Sequence, residues 1–568
     1  MVKEQHFNLL SEPWIKVIDA QNNQEITVSL QDVFRNASNY RQLAGDMRSQ
    51  DLAILRFLLA ILTTVYSHVD SKGKEYTWLK RDSTSGCLLL KERADLEDIK
   101  EQLLATWKEL YEQGHFTSAV GEYLEAYRDR FDMFGEAPFY QVPRDVYDSV
   151  ATKKVATGKG TVAVKQINRL ISESNNSPAI FAPRVGTSKN NMMIPELVRW
   201  LITYQNFTGV TDKTKVDVKE KYSVSSGWLY GIDPVLVKGD TLFETLLLNL
   251  ILYPDKETEI LQYPVWEFED IAEYIKLRLE GLPPSNLSEL YTVWARIIYI
   301  EREKAGFKIF ACGLPKIDNA NAFIEPMTTW KYDHKEREFK PRTKWIKSIG
   351  KSMWRNFGQY VGIEDTEGTA GSEPGIVKWL NHLKNEEILP SGKLLHLQTI
   401  GMISDGNATS QSPVAEVCDD LLIRAGVLFD HNEDHAPSCW PVRIEATIQL
   451  TQNVGEAFWR FGRNWALLRG LGDGASGFAN SVIARYYDRL NKLFRDWLAS
   501  LRVEQEPDEE IVRWKQILQR QTDMLREELL QSATPQDMCG KKEREGTLSK
   551  NIFLLNNQLQ RNIRRLLA

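Results

Sequence analysis

Cysteine is scarce in this 568-residue chain: Cys87, Cys312, Cys418, Cys439 and Cys539 stand alone, with no Cys-x-x-Cys pair. An odd count without paired spacing encodes neither a disulfide framework nor a zinc ribbon, and a reducing cytoplasm is the expected compartment. Long hydrophobic runs are absent too. The longest apolar stretch, Leu52 to Leu62, is interrupted by Arg56 and is too short to span a bilayer, so it reads as a buried helix and no membrane partner is expected. Met1 to Leu10 mixes polar and apolar residues with no basic region ahead of an apolar one, which gives no export signal. A basic excess is also missing, since 71 Lys+Arg face 77 Asp+Glu for a net charge of −6. An autonomous nucleic-acid binder carries a basic balance, so composition weighs against one. It leaves room for local basic loops in a subunit whose partners make most of the phosphate contacts.

Catalytic signatures are equally thin. The best metal-like cluster is Asp430-His431-Asn432-Glu433-Asp434-His435 with Cys439 following. Four-residue steps between His431, His435 and Cys439 suit one helical face, but Pro437 and the polar run before it favour a solvated acidic loop. No adjacent His-Asp pair occurs, as a nuclease of that type would need. Gly158-Lys159-Gly160-Thr161 lacks the upstream glycine and the apolar strand of a phosphate-binding loop, and reads as a flexible basic loop. No nucleophile triad is visible. The chain is expected to be no enzyme and to need no cofactor. A metal-dependent nuclease using residues 430–439, and a purely structural scaffold of a ribonucleoprotein, are the competing readings.

What is present is ample core material, 42% apolar and 10% aromatic, in a chain long enough for two or three domains. Phe7 to Val17, a polar Gln21-Asn22-Asn23-Gln24 stretch and Ile26-Thr27-Val28 predict a β-hairpin. Ser49 to Ser67 is apolar nearly all round and predicts a central helix covered on several sides. Helices, short strands and polar loops then mix to about residue 410 without the regular alternation of a parallel sheet. After about residue 440, four segments carry apolar residues at spacings of three and four. They run Leu450, Val454, Phe458, Phe461, Trp465, Leu468; then Phe478, Val482, Tyr486, Leu490, Leu493, Trp497, Leu501; then Ile511, Trp514, Leu518, Leu525, Leu529; and finally Leu548, Ile552, Leu555, Leu559, Ile563, Leu566. The fold class expected is α+β: an irregular mixed N-terminal domain, residues 1–440, followed by an all-α four-helix bundle, residues 441–568.

Basic residues concentrate in a few places. Lys153, Lys154, Lys159 and Lys165 lie among Gly, Thr and Ala with no acid, and Thr211 to Lys221 alternates lysines with Asp212, Asp217 and Glu220; both stretches read as mobile loops. Lys331 to Arg355 interleaves nine cations with Trp330, Tyr332, Phe339, Trp345 and Trp354. That pattern fits either a track for a nucleic-acid backbone or a charged surface whose aromatics pack inward. Cations near the C-terminus, among them Arg561, Arg564 and Arg565, complement the dipole of a last helix.

Several stretches occur in a specific order: Phe7 to Val17 (FNLLSEPWIKV), Leu52 to Leu62 (LAILRFLLAIL), Arg130 to Val142 (RFDMFGEAPFYQV), Leu242 to Leu250 (LFETLLLNL), and the terminal helices. Together they resemble the CasA family, the large subunit of type I-E CRISPR Cascade, over nearly the whole chain. The resemblance implies a subunit that docks on other Cascade subunits and guide RNA and binds double-stranded target DNA. It also implies reading of the protospacer-adjacent motif (PAM) from the minor groove, help with strand separation during R-loop formation in antiviral defence, and presentation of a surface to a helicase-nuclease. Under it, Lys316 matches the cation that enters the minor groove, and Gly406, Asn407 and Ala408 in Asp405 to Thr409 match the strand-separating wedge. Thr208, Gly209 and Val210 match a glycine-rich loop near the PAM, although only one glycine is kept. Ile180, Phe181, Ala182, Pro183 and Arg184 match a loop that touches the guide end of the complex.

Overall fold

The computed structural model describes residues 6–81, 88–91, 94–168, 170, 182–208, 214–253, 259–303, 306–346, 349–363, 371–404, 413–430, 439–540 and 550–568. The chain is a mixed α+β protein whose described part divides into two compact units. One comprises Met1–Gly350, Gly368–Leu380 and Leu397–Asp419, and the other Lys351–Glu367, Asn381–His396 and Asp420–Ala568.

The first unit is built around the helix Arg48–His68, of which Ser49 to Ser67 are all buried. A helix that is apolar on every side has no solvent face and must be wrapped. It is the one described helix long and apolar enough to cross a membrane by composition, and its apolar window is 94% buried inside the protein. Phe57 shows how it is wrapped. Its ring makes edge contacts with Trp14 at 6.1 Å, Phe131 at 6.4 Å, Phe139 at 5.5 Å and Trp266 at 5.6 Å. Backbone bonds tie the same stretches together, with Leu9 N–H donating to Phe131 O at 2.8 Å and Met133 N–H to Phe7 O at 3.0 Å. Three of the ordered stretches that carried the family resemblance therefore meet in one core.

Sheets are small. The predicted hairpin forms from Ile15–Asp19 and Glu25–Val28 in the register Ile15↔Val28, and Tyr40–Leu43 adds to its other edge. The long antiparallel pair Arg296–Glu303 and Gly306–Gly313 takes a short third strand, Thr161–Val162. Leu394–Ser404 lies between Pro413–Arg424 and Val235–Lys238 in another three-stranded sheet. Regular strand-helix alternation is absent from the element order of the described residues.

Four long helices dominate the second unit: Trp440–Leu468, Ala475–Ser500, Pro507–Gln531 and Ile552–Leu567. The first begins ten residues before the apolar series that predicted it, with Pro441 in its opening turn, where a missing N–H costs nothing. Gly455 and Gly462 allow its close approach to the second helix, since a Cβ at Gly455 would stand 2.9 Å from the Tyr486 ring. A polar residue outside the apolar series, Thr451, links three helices. Its carbonyl accepts from Tyr486 Oη at 2.7 Å and its hydroxyl from Trp514 Nε1 at 2.9 Å. The second helix buries Phe494 and Leu498 and leaves Leu493 half-buried, one step away from the predicted stripe.

Candidate nucleic-acid interface

Lys316 follows the strand Gly306–Gly313 and is exposed between buried Pro315 and Ile317. The backbone of its turn is held on two sides. Lys316 N–H donates to Ser223 O at 2.7 Å, and Asp318 N–H to Gly281 O at 3.1 Å. Arg278, buried on the helix Ile271–Leu279, donates from Nη2 to Pro315 O at 3.1 Å and from Nε to Trp294 O at 3.1 Å. Burial lowers the Arg278 pKa from its ordinary value. A long cation on a fixed base keeps its reach into solvent and loses little entropy when its base is already immobile.

Beside Lys316 lies a small cleft of about 30 Å³ shared with Gln205, Ser225 to Trp228, Trp294 and Asn319. Gln205 is one wall. Its Oε1 accepts from the N–H groups of Ala295 and Arg296, and its Nε2 donates to Arg296 O at 2.9 Å. Gly227 passes the end of the same helix, Ile194–Phe207, so closely that a Cβ there would meet Asn206 O at 2.2 Å, and its φ is +85°. The structure thus brings Lys316 next to the helix end that leads into Thr208, over a hundred residues away in sequence. Thr208 itself is fully buried, and Gly209 and Val210 lie outside the described residues.

The other residues matched by resemblance are placed as follows. Gly406, Asn407 and Ala408 lie outside the described residues, between neighbouring strands Leu394–Ser404 and Pro413–Arg424. Ile180 and Phe181 also lie outside them. Ala182 is half-buried and Pro183 exposed. Arg184 grips Glu196 in the first turn of Ile194–Phe207 with both terminal nitrogens, at 2.6 and 3.2 Å, so it serves at least to tie its loop to that helix.

The aromatic and basic tract 331–355 divides. Trp330 and Trp354 are core residues, and Trp354 stacks on Phe494 at 4.2 Å within the helical unit. Arg355 lies 3.5 Å over the Tyr487 ring, and Lys340 is ringed by Asp333, Glu336 and Glu338. Those cations are occupied internally, while Trp345 is 66% exposed. Of the acidic cluster, Asp430 Oδ2 accepts from Trp440 N–H at 2.9 Å and Cys439 is buried; His431 and His435 lie outside the described residues. No group of three His, Cys, Asp or Glu poised for a metal occurs among the described residues.

The model of the family CRISPR-associated protein Cse1 matches residues 8–525. The chain belongs to that family. Solved Cse1 structures share its fold: the protein from Thermobifida fusca superposes with a TM-score of 0.76 at 20% identity, covering 99% of this chain and 98% of its own. Thermus thermophilus CasA (Cse1), whose double name joins the family matched here to the one the sequence resembles, gives 0.66 at 17% identity with 99% of each chain covered. A chain of a CRISPR RNA-guided surveillance complex gives 0.63 at 15% identity, covering 99% of this chain and all of its own. No curated protein matches the sequence. At these identities the Cse1 neighbours carry the fold, and side-chain roles rest on the residues themselves.

Residue-by-residue reading missed the supports of Lys316. Ser223, Gly281 and Arg278 have no common local signal, although Gly281 and Gly227 are glycines suited to a tight turn or close passage.

Proposed function

We propose that this chain is the non-catalytic large subunit of a type I-E Cascade surveillance complex. In that role it docks on the other subunits and guide RNA, binds double-stranded target DNA, reads the PAM from the minor groove and helps separate the strands. The observation that carries the reading is Lys316, an exposed cation on a clamped turn at the mouth of a cleft, in a chain of this family. Minor-groove edges present chiefly acceptors, so a single well-placed ammonium donor suits a short and tolerant readout. Delegating the long sequence to guide-RNA pairing leaves the protein only this short duplex tag to recognise. Asn407 is the wedge in this reading, and Thr208 to Val210 flank the groove. Ile180 to Arg184 face the guide end, the C-terminal helices form a four-helix bundle, and a helicase-nuclease is recruited after pairing.

The test is target-duplex binding by the guide-RNA complex assembled with and without this chain, on duplexes differing only beside the protospacer. The expected result is an affinity gain for one flanking sequence that Lys316→Ala abolishes while assembly is unchanged. Equal affinity for all flanks, with and without the chain, overturns the reading.

A further inference from the structure

Two lysine-bearing loops that lie some sixty residues apart in sequence are joined in the structure. Thr152 N–H donates to Lys215 O at 3.0 Å and Asp217 N–H to Val150 O at 2.8 Å, around a bridge between Ala151 and Val216. Gly160, at φ +83°, turns the first loop back so tightly that a Cβ there would stand 2.9 Å from Thr214 Oγ1 and 3.2 Å from Lys153 Cβ. Neither loop hangs free, as sequence alone suggested: Thr161–Val162 pairs with the strand Gly306–Gly313, and Gly313 N–H donates to Thr214 O at 2.9 Å. Tyr222 locks the second loop to that strand. Its Oη donates to Gly313 O at 2.7 Å and accepts from Val216 N–H at 2.8 Å, and burial pushes its pKa up to about 12, so it stays a neutral donor.

The junction collects a net excess of positive charge. Residues 150–165 and 214–221 carry seven lysines against Asp217 and Glu220, in a chain that is acidic overall. Lys159, Lys165, Lys219 and Lys221 are exposed and Lys153 is half-buried. None of these five has a carboxylate partner among the described residues. Lys154 and Lys215 are spent on backbone carbonyls, donating to Asp148 O and Tyr222 O. The strand that carries this patch leads, three residues past Gly313, to Lys316, and the antiparallel bridge between Val224 and Pro315 makes the connection continuous.

We infer that Lys153, Lys159, Lys219 and Lys221 form a phosphate-backbone track for the target duplex where it flanks the segment read by Lys316. The occupant follows from charge complementarity and from continuity with that residue; this inference rests on the function proposed above. Backbone contacts of this kind position a duplex and carry no sequence information, so the track sets affinity and register while Lys316 sets discrimination.

The experiment uses the assembled guide-RNA complex and the variant in which these four lysines become Gln, with Lys316→Ala in parallel. Target-duplex affinity is measured across a salt series. The expected result is a salt slope reduced by between three and four, about 0.9 for each of the four lost phosphate contacts, with the preference between flanking sequences unchanged. A second variant with the same four positions as Glu extends the loss of affinity. An unchanged slope in the Gln variant, while Lys316→Ala still loses flank preference, overturns the track alone. Silence of both variants overturns the proposed function as well. Failure of the Gln variant to take up guide RNA or other subunits, with normal thermal melting, assigns the patch to assembly and also overturns the inference.

Discussion

Arg56 meets Glu325 across 269 residues of sequence, its Nη1 and Nη2 donating to the two carboxylate oxygens at 2.9 and 2.8 Å with both side chains fully buried. The pair is embedded further: Trp228 Nε1 donates to Oε2 at 2.5 Å, Met327 N–H to Oε1 at 2.9 Å, and the guanidinium lies 4.4 Å over the Tyr291 ring. The one charge that interrupts the apolar run Leu52 to Leu62 is thus the point where the central helix is fastened to the segment preceding Trp330.

Removing either partner leaves an unpaired buried charge. Arg56→Met or Glu325→Ala is expected to lower stability by about 3–5 kcal/mol in denaturant unfolding. The double variant Arg56→Met with Glu325→Gln recovers part of that loss, because no net charge remains and the single amide oxygen still accepts from one of the two donors, Trp228 Nε1 or Met327 N–H. Additive losses in the double variant would contradict the pairing.

Burial raises the Glu267 carboxyl from its ordinary 4.5 to about 7, against the hydrogen bond that Tyr123 Oη donates to it at 2.5 Å. The folded state therefore binds this proton more tightly than the unfolded chain. Stability is highest below the ordinary pKa, falls as pH rises from 4.5 to about 7, and levels off above it. Glu267→Gln is expected to flatten that part of the stability profile, by up to about 3 kcal/mol at neutral pH relative to the parent slope.

Asp537 carries the opposite sign. Burial works to raise its pKa, but Arg469, bonded at 3.0 and 2.7 Å, together with the Thr534 N–H and hydroxyl, holds the carboxyl well below the usual range. Its contribution is present above the ordinary 3.8 and is lost as pH falls through and below that value. In acid titrations of unfolding, Asp537→Asn should remove this loss while lowering stability at neutral pH.

Gly227 is irreplaceable for two separate reasons, its φ of +85° and the 2.2 Å approach of any Cβ to Asn206 O. Gly227→Ala should destabilise by more than the ~1 kcal/mol of an ordinary glycine substitution, since backbone must move. Flank discrimination should weaken in parallel, because the displaced segment Ser225–Trp228 lines the cleft beside Lys316. Unaltered melting and discrimination would show that the close approach is not needed.

Much of the fold was legible because it follows from local period. The central helix, the Ile15–Val28 hairpin and most of the stripes of the C-terminal helices appear where three- and four-residue or alternating spacing put them; Leu493 gives way to Phe494 in the second of those helices, and Leu548 lies outside the described residues. Three of the stretches that carried the resemblance meet in one core through Phe57, Trp14, Phe131 and Phe139. The candidate site was less so. Lys316 was reached only through resemblance, and the tract 331–355, which looked like one basic surface, divides between two units and spends Trp330, Trp354 and Arg355 internally.

By itself the sequence determined which residues share a helical or strand face, that no cysteine or apolar-run framework is encoded, and which family the chain resembles. Only the tertiary structure decided that Arg56 pairs with Glu325, that Arg278, Ser223 and Gly281 clamp the turn of Lys316, and that two lysine loops become one patch. The physical reason is range. Burial of a face is fixed by spacing over a few residues, whereas the partner of a buried charge or the neighbour of a loop depends on the path of the tens to hundreds of residues between them.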